Sequence, residues 1–358
     1  MNGSQENASS ISDGISSDIT IAKIFLYSVI LIWSLLGNIL VIVAILKNSG
    51  LKTNFNYLIV NMAVSDLIIP CLALPMKIAD ANVRPYEWLV DGQLGSFLCK
   101  MCYFVADIST AVSAFSLVII AANRFFAIAF PMRGRLSKTK TLRLISLTWI
   151  LAVMLLSPYL YTYQIEDGYG WTMCLSTWSP AFDDAVSEAI FTVFVIAVVF
   201  ALPCFAITIF YSLMLCKLRQ NSNNMAYMLN QEQYKRRRQK DKNIFIMTVV
   251  IMLLYMFLWG PFFCTLIILT FFVHVNNDNE HSVQTVIVTV QYLGYLNSAV
   301  NPCVYFYFLK NLRQGAKKLF LKTSWRRSTT DSTVHITTFR SRVTSLRGRR
   351  TSMKTSEV

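Results

Sequence analysis

Charge is scarce in this sequence. Only 15% of its 358 residues are charged, against about a quarter in an ordinary soluble domain, while 54% are hydrophobic. So apolar a chain needs lipid to cover its surface. Histidine is scarcer still, with His274, His281 and His335 the whole complement. With so few histidines, and without a His-Glu-x-x-His or Gly-x-Ser-x-Gly motif, the sequence offers no nucleophile with its base and no metal cluster, so it does not read as an enzyme. The eight cysteines, at 71, 99, 102, 174, 204, 216, 264 and 303, lack the paired ligand spacings of a zinc site. There is no internal repeat, and Asp66, Asp107 and Arg124 form no relay of the kind a transporter uses. Acidic residues are the minority sign, 19 against 33 basic ones for a net charge of +14. That excess lies between apolar runs and matches no nucleic-acid motif, so a nucleic-acid partner is not expected.

What is present is long hydrophobic runs. Seven stretches, about 23–46, 56–79, 98–122, 142–161, 189–216, 244–273 and 284–308, reach the roughly 20 apolar residues that cross a bilayer as a helix. In lipid the backbone must satisfy its own hydrogen bonds, so these runs are predicted as helices. The first 20 residues are polar and serine-rich with no basic n-region, so the first run is expected to act as a signal anchor rather than to follow a cleaved peptide. On a seven-span plan only Lys23, Lys77, Arg84 and Lys100 of the 33 basic residues fall on one side. The loop 217–242 on the other side holds eight (Lys217, Arg219, Lys235, Arg236, Arg237, Arg238, Lys240 and Lys242). The positive-inside rule puts the N-terminus outside the cell and the C-terminus in the cytoplasm. Two glycosylation sequons, at Asn2 and Asn7, lie in that outer segment. The acids segregate oppositely, 13 of the 19 lying outside. Such a funnel raises the local concentration of a cationic ligand, although loops are in any case polar.

Polar and helix-breaking residues inside the membrane are costly and mark function. In order they are Gly37-Asn38, Ser65-Asp66, Cys99 with Asn123-Arg124-Phe125, Trp149, Pro203 with Tyr211, Trp259-Gly260-Pro261, and Asn297-Ser298 followed by Asn301-Pro302-Cys303-Val304-Tyr305. One set per stretch, in register over about residues 30–320, resembles the fingerprint of rhodopsin-like G protein-coupled receptors, most of all the neuropeptide-receptor group. The resemblance implies an all-α membrane protein, a seven-transmembrane helix bundle with a short amphipathic eighth helix. The organisation expected is a disordered extracellular segment 1–22, a bundle 23–309, a juxtamembrane helix 310–321 and a disordered cytoplasmic tail 322–358, all in the plasma membrane.

The same resemblance assigns roles. Cys99 and Cys174 both lie outside, an oxidising setting; a disulfide between them would pin the 162–188 loop over the bundle mouth, with two free thiols as the alternative. Asp66 is a lone carboxylate in an apolar helix and must be paired or neutralised. Related receptors hold a sodium ion and water there, which would involve Ser113, Asn297, Ser298 and Asn301; the alternative is a protonated, hydrogen-bonded Asp66. No other cofactor is implied. Pro203, Pro261 and Pro302 permit kinks, and Trp259 stands where the family's rotamer-sensitive tryptophan lies. Tyr211 and Tyr305 would reach toward Arg124, the expected G protein contact, in the active state.

The chain departs from the family next to that arginine, where Asn123 replaces the usual acid and Phe125 the usual tyrosine. Asparagine offers no charge partner, so Asp241, 18 residues before Trp259, is expected to carry more of the resting-state restraint. At the inner edge, Leu312, Ala316, Leu319 and Phe320 share one face of a predicted helix, opposite Lys310, Arg313, Lys317 and Lys318, a pattern suited to an anionic leaflet. No cysteine follows, so no palmitoyl anchor is expected. The tail carries serines and threonines suited to phosphorylation and arrestin recruitment, and its end, through Ser356 and Val358, resembles a PDZ-domain ligand.

For the ligand, the retinal-lysine position of opsins is Tyr295, which excludes a light receptor. The position of the amine-receptor aspartate is Ala106, and Asp107 stands about 100° further round the helix, so an amine counter-ion would be off-axis. Basic or amidated peptides fit the acidic second outer loop, where Asp183 and Asp184 are expected to meet them, with Asp107, Trp259, Phe262, Gln291, Tyr292 and Tyr295 lining the cavity. A biogenic-amine receptor is the alternative, and a transporter a distant one. The Asp241 assignment makes a measurable claim: Asp241→Ala raises ligand-free signalling in transfected cells, and an unchanged basal level overturns it.

Overall fold

The computed structural model describes residues 2–81, 83, 87–129, 137–168, 170–220, 231–273, 276 and 279–319, without the side chains of 2–19, 218–238, 240 and 241. Seven long helices run in chain order: α1 (Asn2–Lys47), α2 (Asn54–Asp80), α3 (Gly92–Ala129), α4 (Lys138–Leu156), α5 (Asp184–Lys217), α6 (Gln231–Phe271) and α7 (Glu280–Phe308). An eighth, α8, covers 310–319. Six of the seven contain a span long and apolar enough to cross a membrane. The seventh, α7, has the length, but Gln284, Gln291, Asn297 and Asn301 lower its hydropathy. Its polar residues face protein, since Asn297, Ser298 and Asn301 are all buried. Phe257 (72% exposed), Phe205 and Ile190 stand on the outer surface instead, a display of large apolar side chains that water would penalise and lipid does not.

Two expectations shift. The first helix continues outward to Asn2 rather than leaving 1–22 disordered; no proline interrupts residues 1–22, and extending a formed helix is far cheaper than starting one. The fourth span ends at Leu156 rather than 161, and after Ser157-Pro158 the chain makes a single separate turn, Tyr159–Thr162. The segment after it is an antiparallel hairpin, β1 (Tyr163–Gly168) with β2 (Trp171–Ser176), turned at Gly170 with φ of 87°, a left-handed value that favours glycine.

Within the bundle, hydrogen bonds gather where proline disturbs the helix. Pro302 has no N–H for the carbonyl of Ser298, four residues back, and Asn38 Nδ2 of α1 donates to that oxygen at 3.0 Å. Ser34 Oγ joins it by donating to Ser298 Oγ at 3.0 Å. Pro203 likewise offers nothing to Val199, whose carbonyl lies in a π-helical stretch (Ile196–Ala201) and accepts the Tyr255 hydroxyl of α6 at 3.1 Å. Asn61 of α2 ties two further helices, donating to Ser116 Oγ of α3 at 2.8 Å and accepting from Trp149 Nε1 of α4 at 2.9 Å.

The predicted amphipathic face of α8 is present: Leu312 and Ala316 are buried and Arg313, Lys317 and Lys318 exposed, while Phe320 lies outside the described residues. Small residues set the closest approach between α1 and α7. A Cβ on Gly37 would stand 2.9 Å from Pro302 Cβ, inside ordinary contact, which is how glycine lets membrane helices meet. Gly37→Leu is therefore expected to cost about 1–3 kcal/mol through overpacking, read as a lower melting temperature of the detergent-solubilised protein; an unchanged melting temperature refutes this contact.

Candidate functional site

The outer mouth is built by the hairpin. Cys99, at the outer end of α3, is bonded to Cys174 of β2, so the lid is covalently attached to a helix of the wall. A stack of rings continues the attachment: Tyr103 of α3 lies parallel to Tyr163 of β1, centroids 4.2 Å apart, and Tyr159 meets Tyr163 edge-on at 5.2 Å. Asp107, one helical turn below Tyr103, is half-buried, with the Tyr159 hydroxyl close to its carboxylate. Burial, with the Asp107 carboxylate nearby, pushes the Tyr163 phenol well above its ordinary range, so it stays a neutral hydrogen-bond donor. Across the mouth Tyr27 of α1 packs against Tyr292 and Tyr295 of α7 at 5.6 and 6.5 Å, and Lys77 and Asp80 of α2 pair at 3.4 Å.

Asp107, Tyr292 and Tyr295 therefore belong to this upper region as expected, and Gln291 lies on the same outer part of α7. Asp183 and Asp184 are exposed at the start of α5. Asp183 caps α5, accepting from the Val186 amide at 2.9 Å. Asp184 accepts from Thr177 Oγ1 at 3.0 Å and from the amides of Trp178 and Ser179. Both carboxylates serve the chain's own backbone, the ordinary use of aspartate at a helix start.

Deeper, Trp259 of α6 is buried and touches Phe262 edge-on at 5.7 Å. Its indole lies over Gly294 of α7, where an added Cβ would fall 2.9 Å from the ring. Below it Asp66 is held by two neighbours: Ser113 Oγ donates to Oδ1 at 3.2 Å and Asn301 Nδ2 to Oδ2 at 2.9 Å. Asn297 is buried. Ser298, expected in the same set, is turned to Ser34 and to its own helix at the Tyr295 carbonyl. The Asn301 Oδ1 atom is buried and accepts no hydrogen bond. A carboxylate, a hydroxyl and a spare amide oxygen are oxygen donors of the kind a hard cation takes.

At the inner end the Arg124 guanidinium lies over an unforeseen partner, the Phe55 ring of α2, with Cζ 3.8 Å from its centroid. Asn123 is half-buried beside it. Phe125 packs against Phe210 of α5 at 5.9 Å, so the ring that replaces tyrosine serves packing. Tyr211 meets Phe245 of α6 edge-on at 5.4 Å and hydrogen-bonds Thr248. Tyr305, fully buried, directs its hydroxyl to Met62 Sδ at 3.5 Å. The Asp241 side chain lies outside the described residues, as do those of Asn2 and Asn7, the 130–136 loop and the tail with Val358.

A pinned outer lid, a buried tryptophan above a paired carboxylate, and an arginine at the inner edge lie along one axis of seven helices. Residues 37–305 match the model of the 7 transmembrane receptor (rhodopsin family). The chain belongs to that family. The receptor is 27% identical over 305 residues to a QRFP-like peptide receptor of Branchiostoma floridae, covering 82% of this chain and 76% of that protein. It is 27% identical to galanin receptor 2a of Danio rerio (82% and 77% covered) and 25% to neuropeptide FF receptor 2 of Rattus norvegicus (84% and 73%). The family is one of receptors, not enzymes, and the receptor is a multi-pass membrane protein.

The tyrosines at 27, 103, 159 and 163, the Gly294 seat and Phe55 were not among the expected site residues. The tyrosines had a weak signal, their clustering at the outer ends of the spans; Phe55 and Gly294 act through contacts that no local pattern encodes. The Gly294 seat predicts that Gly294→Ala, by displacing the indole, raises ligand-free nucleotide exchange several-fold with normal surface expression; wild-type basal exchange means the seat does not restrain Trp259.

Proposed function

We propose that this receptor answers an extracellular peptide with a basic or amidated end and passes the signal to heterotrimeric G proteins at the plasma membrane, N-terminus outside. The observation that carries the reading is the outer end of the bundle: a disulfide-pinned hairpin stacked on α3 through Tyr103 and Tyr163, with the Asp107 carboxylate one turn deeper and Tyr159 beside it. A carboxylate among phenol rings recognises a cation by charge and by the negative faces of the rings. Relatives named as peptide receptors support it.

Agonist contacts with α3, α6 and α7 shift an existing equilibrium only by their differential affinity for its two states. The favoured state swings the inner end of α6 outward about Pro261, with Trp259 as the moving part, and presents Arg124 to the G protein. A sodium ion held by Asp66, Ser113 and Asn301 would stabilise the resting state. Phosphorylated tail residues would recruit arrestin, and Val358 a PDZ-domain protein.

The test is nucleotide exchange in cells exposed to pooled amidated basic peptides and, separately, pooled monoamines. Peptides are expected to activate, with Asp107→Asn lowering potency about 10–100-fold, the worth of a charged hydrogen bond. A response to amines alone would replace the peptide reading with the amine one.

A further inference from the structure

Arg124 is the residue through which the proposed G protein contact runs, and the inference here rests on that reading. The acid that would hold it from position 123 is Asn123, which carries no charge. The structure nevertheless keeps its guanidinium at a defined place, over the Phe55 ring with Cζ 3.8 Å from the centroid. Phe55 stands in the first turn of α2, where Thr53 caps the helix by accepting from the Asn56 amide at 3.3 Å. Its ring is only 8% exposed and belongs to the central core cluster, so the aromatic face cannot turn away from α3 without disrupting packing. A planar guanidinium is weakly hydrated and stacks well on an aromatic face, and such contacts strengthen when water is excluded.

We propose that Phe55 is a positioning residue for the switch: its ring seats Arg124 in the resting state, taking over part of the restraint that a neighbouring acid would supply. Activation then requires the guanidinium to leave the ring for the G protein, and the strength of the ring's quadrupole sets how often it does so without ligand. The seat needs no proton transfer and no cofactor.

The test replaces Phe55 by phenylalanines bearing one, two or three ring fluorines, which weaken the negative face with little change in size. The full-length receptor is purified into lipid nanodiscs. Basal nucleotide exchange on a panel of heterotrimeric G proteins and the distance between spin labels at Lys138→Cys and Lys242→Cys are measured without ligand. Basal exchange and the population with α6 open are expected to climb stepwise with fluorine count, reaching about tenfold for Phe55→Leu, while Phe55→Tyr stays near wild type. A flat label population across the fluorine series, or Phe55→Tyr rising as far as Phe55→Leu, overturns the proposal. Graded opening of α6 without nucleotide exchange supports the Phe55 seat while counting against the coupling reading. The fluorinated series keeps the test decisive even if Phe55→Leu fails to fold.

Discussion

A helix in lipid has no water to take up a stray carbonyl, and this constraint organises the bundle. Prolines needed for kinks leave carbonyls without a donor, and unsatisfied groups at that depth cost several kcal/mol each. The chain answers from neighbouring helices: Asn38 takes the carbonyl before Pro302, and Tyr255 the one before Pro203. Each repair is also a tie between helices, α1 to α7 and α6 to α5. At Pro302 and Pro203 the place where the backbone is weakened is thus also a place where helices are joined.

The polar interior follows the same logic on side chains. Asn61 is shared by Ser116 and Trp149, and Asp66 by Ser113 and Asn301. These buried groups hold α2, α3, α4 and α7 in one register. The two ends differ in kind. The outer end uses a covalent bond and stacked tyrosines, a persistent frame around a carboxylate. The inner end uses an aromatic face against a guanidinium, worth only about 0.5–2 kcal/mol, and is the end that must let go.

Much of this was legible in the sequence because lipid imposes a simple code. Runs of about 20 apolar residues and isolated polar residues within the runs specified the number of helices and the positions of Asp66, Arg124, Trp259 and the prolines. Cys99 and Cys174 could be paired from the resemblance, and the structure joins them. The amphipathic face of α8 followed from spacing alone. These features are local, or are forced by the solvent, so one dimension suffices to read them.

Partnership was not legible. Asp183 and Asp184 are bonded to backbone amides of their own chain and Ser298 to α1, contacts that spacing does not give; the residue facing Arg124 is a phenylalanine 69 positions earlier in the chain. A side chain's direction depends on how its helix is rotated against its neighbours, and that rotation is set by close contacts such as Gly37 on Pro302 and Gly294 under Trp259. The sequence by itself determined which segments cross the membrane and which residues are too polar to be there without a purpose. Only the tertiary structure decided what each of those residues meets, because in a bundle packed by shape every partner comes from a different helix.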